Sequence, residues 1–244
     1  FPLDSNDGAR VAASAIVPRE GALITGMIRR QVGSEKKIWN SIIALDDGAK
    51  ILAKYDKSHL VPFGEYVPGK KWLSLKKITE GRLDYSAGPG PSIWRLGVLP
   101  PVSPLICYEI IFSGTVTPVD QRADWILVLT NDAWYGNSSG PYQHLSIARI
   151  RAVEEGLTVV RAASTGISAV FDGYGREWSR IELDKTGVLD TRLPDSSRIY
   201  SFWVQNSQIS TIIFASLGFL AFFMRKGVKR IFPRPRIKAK KKLP

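Results

Sequence analysis

Seven short apolar runs, each bounded by turn-forming residues, constrain this chain more than any other feature. They read ALITGMI (22–28), IWNSIIAL (38–45), ILAKY (51–55), VSPLIC (102–107), DWILVLT (124–130), LTVVRAA (157–163) and ISAVFD (167–172). Several are almost continuously hydrophobic, the pattern of strands covered on both faces. LDDG (45–48), between the second and third runs, predicts a hairpin turn. Helical periodicity is rarer. PYQHLSIARIRAVEEG (141–156) sets Leu145, Ala148, Ala152 and Glu155 on one face and stops at Gly156. Residues 5–17 predict a second helix, capped by Ser5, Asn6 or Asp7 and closed by Pro18. A third is expected over 109–121, with Pro118 near its end. Residues 61–92, rich in Gly, Pro and Lys, read as loops around short helical turns. The expectation is a mixed α/β domain without internal repeats.

Length and composition allow a self-sufficient core: 244 residues, 44% hydrophobic, need no covalent staples. The single cysteine cannot form an internal disulfide, and two histidines far from it give no metal-ligand spacing, so no structural metal is expected. The net charge of +12 is a local property. Residues 225–244 hold ten Lys or Arg and no acid; removing ten from 34 basic residues leaves 24 against 22 acids, about +2 for the rest. A basic tail alone fits nucleic acid or anionic lipid.

The stretch before the tail favours lipid. QISTIIFASLGFLAFFM, residues 208–224, carries no charge. As a helix it spans roughly 25 Å, slightly short of the ~30 Å hydrocarbon core, and its flanks extend it. Tyr200 and Trp203 suit one interface, and Arg225, Lys226, Lys229 and Arg230 suit the cytoplasmic side of the other. The reading is a domain over 1–200, a transmembrane helix over 201–224 and a basic cytoplasmic tail over 225–244. The domain then lies across the membrane from the tail, in the periplasm of a Gram-negative cell. No nucleic-acid partner is expected. FPLDSNDGAR, at the start, has neither an initiator Met nor the pattern of a signal peptide, and reads as the interior of a longer protein.

Three stretches carry candidate chemistry. In PLICYEII (104–111), Cys107 ends an apolar run where a strand meets a turn. Such an elbow exposes a nucleophile and aims backbone N–H groups at an oxyanion. A packed core cysteine is the commoner use of a lone thiol. In YDKSHLVPFGEYVP (55–68), Lys57, His59 and Glu65 sit in a stiff, apolar loop where an unpaired carboxylate would be costly. In LTNDAWYGNSSGPYQH (129–144), Trp134 and Tyr135 could wall a ligand crevice at a strand end, while Asn131 and Asp132 fix the loop. A Cys–His pair using His59 or His144 is disfavoured, because neither lies in a recognisable dyad motif.

KSHLVPFGEYVP, ICYE and NDAWYG, in this order, resemble the nitrilase (carbon–nitrogen hydrolase) superfamily and, within it, the membrane branch of apolipoprotein N-acyltransferases. The resemblance runs from about residue 20 to residue 224. It implies a nitrilase-like α-β-β-α sandwich followed by one C-terminal transmembrane helix, and a Glu–Lys–Cys triad. The family lysine falls on Lys57, the nucleophile on Cys107 and a supporting glutamate on Glu65. Tyr108 and Glu109 match the positions beside the nucleophile, and Trp134, Tyr135 and His59 become candidates for substrate contact. The implied reaction needs no cofactor and moves an acyl chain from a phospholipid to an apolipoprotein amine.

One departure bears on activity. The family's general-base glutamate belongs to an earlier Trp-Pro-Glu strand, and none of Asp4, Asp7 or Glu20 stands in such a motif. Residues 1–244 alone are therefore expected to lack acyltransferase activity. Two alternatives remain open here: a membrane-anchored amidase with water as acceptor, and an inert lipid-binding piece. Glu109 could also serve simply as a cap at the turn.

Overall fold

The computed structural model describes residues 2–31, 36–69, 83–118, 121–196 and 207–231, the last with side chains over 212–224. The chain divides into two units, residues 1–204 and 205–244.

In the first unit every predicted apolar run forms a strand. The first three make an antiparallel sheet: β1 (Leu23–Gln31), β2 (Lys37–Leu45) and β3 (Ile51–Asp56), in that order. The remaining four, β4 (Val102–Ile106), β5 (Trp125–Thr130), β6 (Thr158–Ala163) and β7 (Ser168–Phe171), join β8 (Glu177–Ile181) in a five-stranded sheet. Strands β4, β5 and β6 run parallel, and β7 and β8 are added antiparallel. No residue of β8 is fully buried, so it lacks the apolar signature that marked the others.

Alternation along the strands assigns each face to a layer. In β2, Ile42 and Ala44 meet Val102, Ile106, Trp125 and Leu127 between the sheets. Ile43 and Leu45 point the other way, onto Ala13 of α1 (Asp7–Ser14). In β5, Ile126 and Val128 pack with Leu145, Ala148 and Ala152 of α2 (Gly140–Glu155). The layers are therefore α1, sheet, sheet, α2, a four-layer α-β-β-α sandwich. Each fully buried Ile or Val in it contributes about 1.5–3 kcal/mol. The predicted caps form: Asn6 accepts the Ala9 N–H at 2.9 Å, and Gly156 ends α2 in the left-handed region at φ 63°.

The helix expected over 109–121 does not form. Cys107–Ile111 makes one 3₁₀ turn instead, and extended Phe112 ends it. Ile110 and Val116 are drawn into the core on α2, and a Gly and a Pro follow within seven residues of Ile111.

The described part of the second unit is one helix, α3 (Ser207–Ile231). Ile212, Phe214, Phe219 and Phe222 are exposed on it. Among the described residues no helix is long and apolar enough to cross a membrane. The start of the expected span, 201–206, and the tail from 232 lie outside the described residues.

Candidate active site

The parallel order β4-β5-β6 brings three strand ends together, the place where α/β sheets open onto ligands. A cavity of about 970 Å³ lies there, lined by Cys107, Lys57, Glu65, Tyr108, Trp134 and Tyr135 among others. Six of the eight residues singled out from the sequence thus share one hollow. Trp134 and Tyr135 are exposed, 57% and 41%, and form an aromatic rim.

Cys107 adopts φ 50°, in the left-handed region. For a residue with a side chain this costs on the order of 1–3 kcal/mol and persists only where the surroundings impose it. Glu109 Oε2 accepts the Ile106 N–H at 2.8 Å, just before the turn. Arg151 of α2 donates from Nε to the Ile110 carbonyl at 3.1 Å, within the turn and three residues after Cys107.

Lys57 follows the last residue of β3. The register pairing Ser41 with Asp56 brings it opposite Asn40, whose carbonyl accepts the Lys57 N–H at 2.8 Å. On the other side, Gly88 donates its N–H to the Lys57 carbonyl at 2.8 Å. A Cβ on Gly88 would lie 2.0 Å from the Asp56 carbonyl oxygen, so only glycine permits this approach. Lys57 is 1% exposed, and its Nζ lies 2.7 Å from Glu65 Oε2. Glu65 also accepts from the Val61 N–H at 2.8 Å and the Asn40 amide at 3.2 Å. The stiff VPFGE loop exists in physical terms because a buried ammonium needs this carboxylate.

Glu109 is a clasp. Besides Ile106, it binds through Oε1 the Tyr55 hydroxyl (2.7 Å), the Ser58 N–H (2.7 Å) and hydroxyl (2.8 Å), and the His59 N–H (3.1 Å). Burial, then the Glu109 charge, pushes the Tyr55 phenol up, which keeps it a donor. One carboxylate thereby ties the lysine-bearing segment to the elbow. The bonds to Ile106 and to the 55–59 segment satisfy both its oxygens, and Lys57, Val61 and Asn40 satisfy those of Glu65. Glu65 is the one acid among the described residues lining the cavity.

His59 is placed differently. Its ring stacks on Phe112, centroids 4.5 Å apart, and it does not line the cavity.

Sequence reasoning did not foresee a second polar group, behind Cys107. His144 of α2 is 2% exposed; its Nε2 lies 3.3 Å from the Cys107 carbonyl oxygen and its Nδ1 2.9 Å from Asp132 Oδ1. Asp132 Oδ2 pairs with Arg161 Nη2, and Oδ1 also accepts from the Thr130 hydroxyl at 2.9 Å. Arg161 Nε donates to the Ile167 carbonyl at 3.0 Å. Burial alone would push the Asp132 carboxyl up, but the His144 bond, the Arg161 and His144 charges and the Thr130 bond hold it below the usual carboxylate range. The signal was an arginine inside the apolar run LTVVRAA, because a buried guanidinium requires a counter-charge. Cys107, Asp132 and His144 offer donor atoms within 4.8 Å of one another. Arg161 and the His144 Nδ1 contact already engage the Asp132 carboxylate, so this is an ion-pair network rather than a vacant ligand set.

The carbon-nitrogen hydrolase family model matches residues 16–204. Apolipoprotein N-acyltransferase of Rhizobium rhizogenes is 37% identical over 241 residues, covering 93% of this chain and 44% of that protein. That of Rickettsia bellii is 44% identical over 187 residues, covering 75% and 38%. The chain thus spans less than half the length of these curated relatives. Among solved structures, an amidase from Nesterenkonia superposes with a TM-score of 0.52 at 22% identity, covering 75% of this chain and 66% of that one, a likeness of fold. With three-quarters of its length matched by the family model and its strands in the same sandwich, this chain belongs to the carbon-nitrogen hydrolase family.

Proposed function

We propose that this chain is the catalytic portion of an N-acyltransferase that moves an acyl chain from a membrane phospholipid to the N-terminal diacylglyceryl-cysteine amine of apolipoproteins. The observation that carries the reading is the left-handed Cys107 beside a buried Lys57–Glu65 pair in one cavity. The names of relatives 37–44% identical support the substrate class.

In the first step the Cys107 thiol loses its proton, and the sulfur attacks the ester carbonyl. A C–S bond forms and the C–O bond breaks; the lysophospholipid leaves as an alcohol with a proton. Lys57 Nζ faces the oxyanion that develops between these events, a contribution often worth a few kcal/mol. In the second step the lipoprotein amine attacks the thioester. A C–N bond forms, the C–S bond breaks, and the thiol is restored. The proton acceptor of the first step is the glutamate that the family resemblance assigns to an earlier strand, because Glu65 and Glu109 are both committed to their own partners. Tyr108 and the Trp134–Tyr135 rim contact the acyl donor.

Anchoring at a lipid surface completes the proposal. The proposed span is residues 201–224, in which the uncharged stretch 208–224 is extended by its flank, of which 201–206 lie outside the described residues. It crosses the inner membrane of a bacterium, the basic tail stays cytoplasmic, and the catalytic domain faces the periplasm.

The test is mass spectrometry of the protein, expressed from the first codon of its reading frame and incubated with phospholipid in detergent. An acyl adduct should appear on Cys107 in wild type and be absent in Cys107→Ser, since a hydroxyl is far less nucleophilic than a thiolate near neutral pH. A diacylated lipopeptide should then discharge it as an amide. An adduct on another residue would overturn the reading, and release of free fatty acid in place of the amide would replace it with a hydrolase.

A further inference from the structure

Among the described side-chain hydrogen bonds, that of His144 is the one made to the backbone of Cys107 itself; Glu109 holds the Ile106 N–H and Arg151 the Ile110 carbonyl. We propose that His144, oriented by the Asp132–Arg161 pair, is a positioning residue that pins the Cys107 carbonyl and so holds the thiol in its left-handed turn over the cavity. This rests on the reading of Cys107 as nucleophile.

At Nδ1 the ring meets the Asp132 carboxylate at 2.9 Å and Arg161 Nη2 at 3.4 Å, and at Nε2 it meets the Cys107 carbonyl, an acceptor, at 3.3 Å. Nε2 therefore presents its N–H to the carbonyl, and the ring cannot turn without losing that bond. Asp132 is equally fixed. Its N–H donates to the Thr165 carbonyl at 2.8 Å, and its carboxylate lies between Arg161 and Thr130. Gly166, at φ 116°, makes room for it: a Cβ there would lie 2.7 Å from Asp132 Oδ2. The result is a chain of contacts from β6 through Asp132 and α2 to the nucleophile, with Arg161, Asp132 and His144 exposed by only 1%, 1% and 2%.

Burying an ion pair in this way adds little net stability compared with an apolar packing of the same volume. What it does supply is orientation, because Arg161 Nε and Nη2, the Asp132 carboxylate and the His144 ring are each held by hydrogen bonds. The φ of Cys107 is the coordinate most in need of such restraint, since rotation toward the ordinary region would re-aim the thiol within the cavity it lines.

The experiment uses three substitutions of His144, and one of Thr130, in the full-length protein. The amide nitrogen of Gln overlaps the imidazole Nε2 position, whereas that of Asn overlaps Nδ1. His144→Gln should therefore keep the bond to the Cys107 carbonyl, while His144→Asn and His144→Ala lose it. Two rates are read at the Cys107 peptide: acyl-adduct formation from phospholipid, and alkylation by iodoacetamide, a small reagent with little need for orientation. We expect the acylation rate to fall tenfold or more in His144→Asn and His144→Ala, and to stay within about threefold of wild type in His144→Gln. Alkylation should stay within about threefold in all. Equal acylation by the Gln and Asn variants, unchanged acylation in His144→Ala, or a parallel fall of both rates would overturn the proposal. Thr130→Val removes one bond from Asp132 without touching the ring; a fall in acylation of about fivefold or more with alkylation within about threefold supports the same conclusion if the His144 variants do not fold, and a smaller fall overturns it. Absence of any adduct in wild type would instead refute the nucleophile reading.

Discussion

The two sides of Cys107 solve one problem differently. In front, Lys57 and Glu65 form a buried ion pair between residues eight apart on one loop. Behind, Asp132 pairs with Arg161, 29 residues away, and with His144, 12 away, across β6, a strand-end loop and α2. In both places a charge removed from water is matched by an opposite one, since an unmatched buried charge is among the costliest defects a fold can carry. The difference lies in how each reaches Cys107. Lys57 lines the same cavity as the thiol, whereas the rear network, whose Arg161 also lines it, reaches the Cys107 backbone carbonyl by way of His144. Front residues are therefore expected to govern stability and chemistry together, and rear residues to govern geometry.

The sharpest break of this contrast is Lys57→Met. It leaves Glu65 buried without its counter-charge, a loss of about 3–5 kcal/mol measurable by urea unfolding. Acylation of Cys107 should fall a further 10²–10³-fold in the folded fraction. Adding Glu65→Leu should restore much of the stability and none of the rate; recovery of the rate would show that Lys57 matters only as a partner for Glu65.

Next in size is Asp132→Asn, which keeps an acceptor for His144 but strips Arg161 of its charge partner. A loss of about 3 kcal/mol is expected at pH 7. Its pH dependence has a definite sign. The Asp132 carboxyl is held below its ordinary value of 3.8, so its contribution is complete above that value and is lost as pH falls through the depressed one. The stability gap between wild type and variant should accordingly narrow in acid, read from urea midpoints at pH 7 and near pH 3. A gap that widened on acidification would contradict the ionised pair.

Glu109→Gln should cost less, about 2 kcal/mol, because one accepting oxygen becomes an N–H₂ group facing donors. The loss should appear as loosening between residues 55–59 and the elbow, measured by amide exchange at Ser58 and His59. Unchanged protection there would mean that the carboxylate is not what joins the two segments.

What the sequence disclosed follows the same division. Strands β2, β4, β5, β6 and β7 were legible because extensive burial leaves nearly continuous apolar runs. Strands β1 and β3, largely unburied, were legible as short apolar runs on either side of β2 and its LDDG turn, and α2 because its inner face repeats at Leu145, Ala148 and Ala152. Strand β8 was not, since its side chains stay partly in water. The turn at 107–111 was misread as the start of a helix because local propensity cannot register the pull of Ile110 and Val116 into the core. Lys57, Glu65 and Cys107 stood out through compact motifs. Asp132 read as a loop residue and His144 as an unlikely partner, because their meaning depends on β5 and β6 lying side by side. Arg161 alone carried a warning, a cation in a strand with no acid nearby in sequence.

His59 gives the smallest and most pointed test, because it belongs to the front motif by sequence and not to the cavity by position. Its backbone N–H serves the Glu109 clasp at 3.1 Å, a bond that any residue other than proline can supply. Its side chain is exposed and adds a stack on Phe112, at 4.5 Å and 28° between planes, and a long contact of 3.5 Å between Nδ1 and the Ser58 hydroxyl. Aromatic pairs contribute about 0.5–1.5 kcal/mol beyond area, and exposure places this one at the low end. His59→Ala should thus lower stability by about 0.5 kcal/mol and leave acylation of Cys107 within about twofold of wild type. A tenfold loss of rate without a matching loss of stability would mean that the ring leaves Phe112 when lipid binds, and that the front wall extends further than the empty cavity. A rate within twofold would confine the chemistry of this segment to Lys57 and leave His59 as the point where its backbone is fastened.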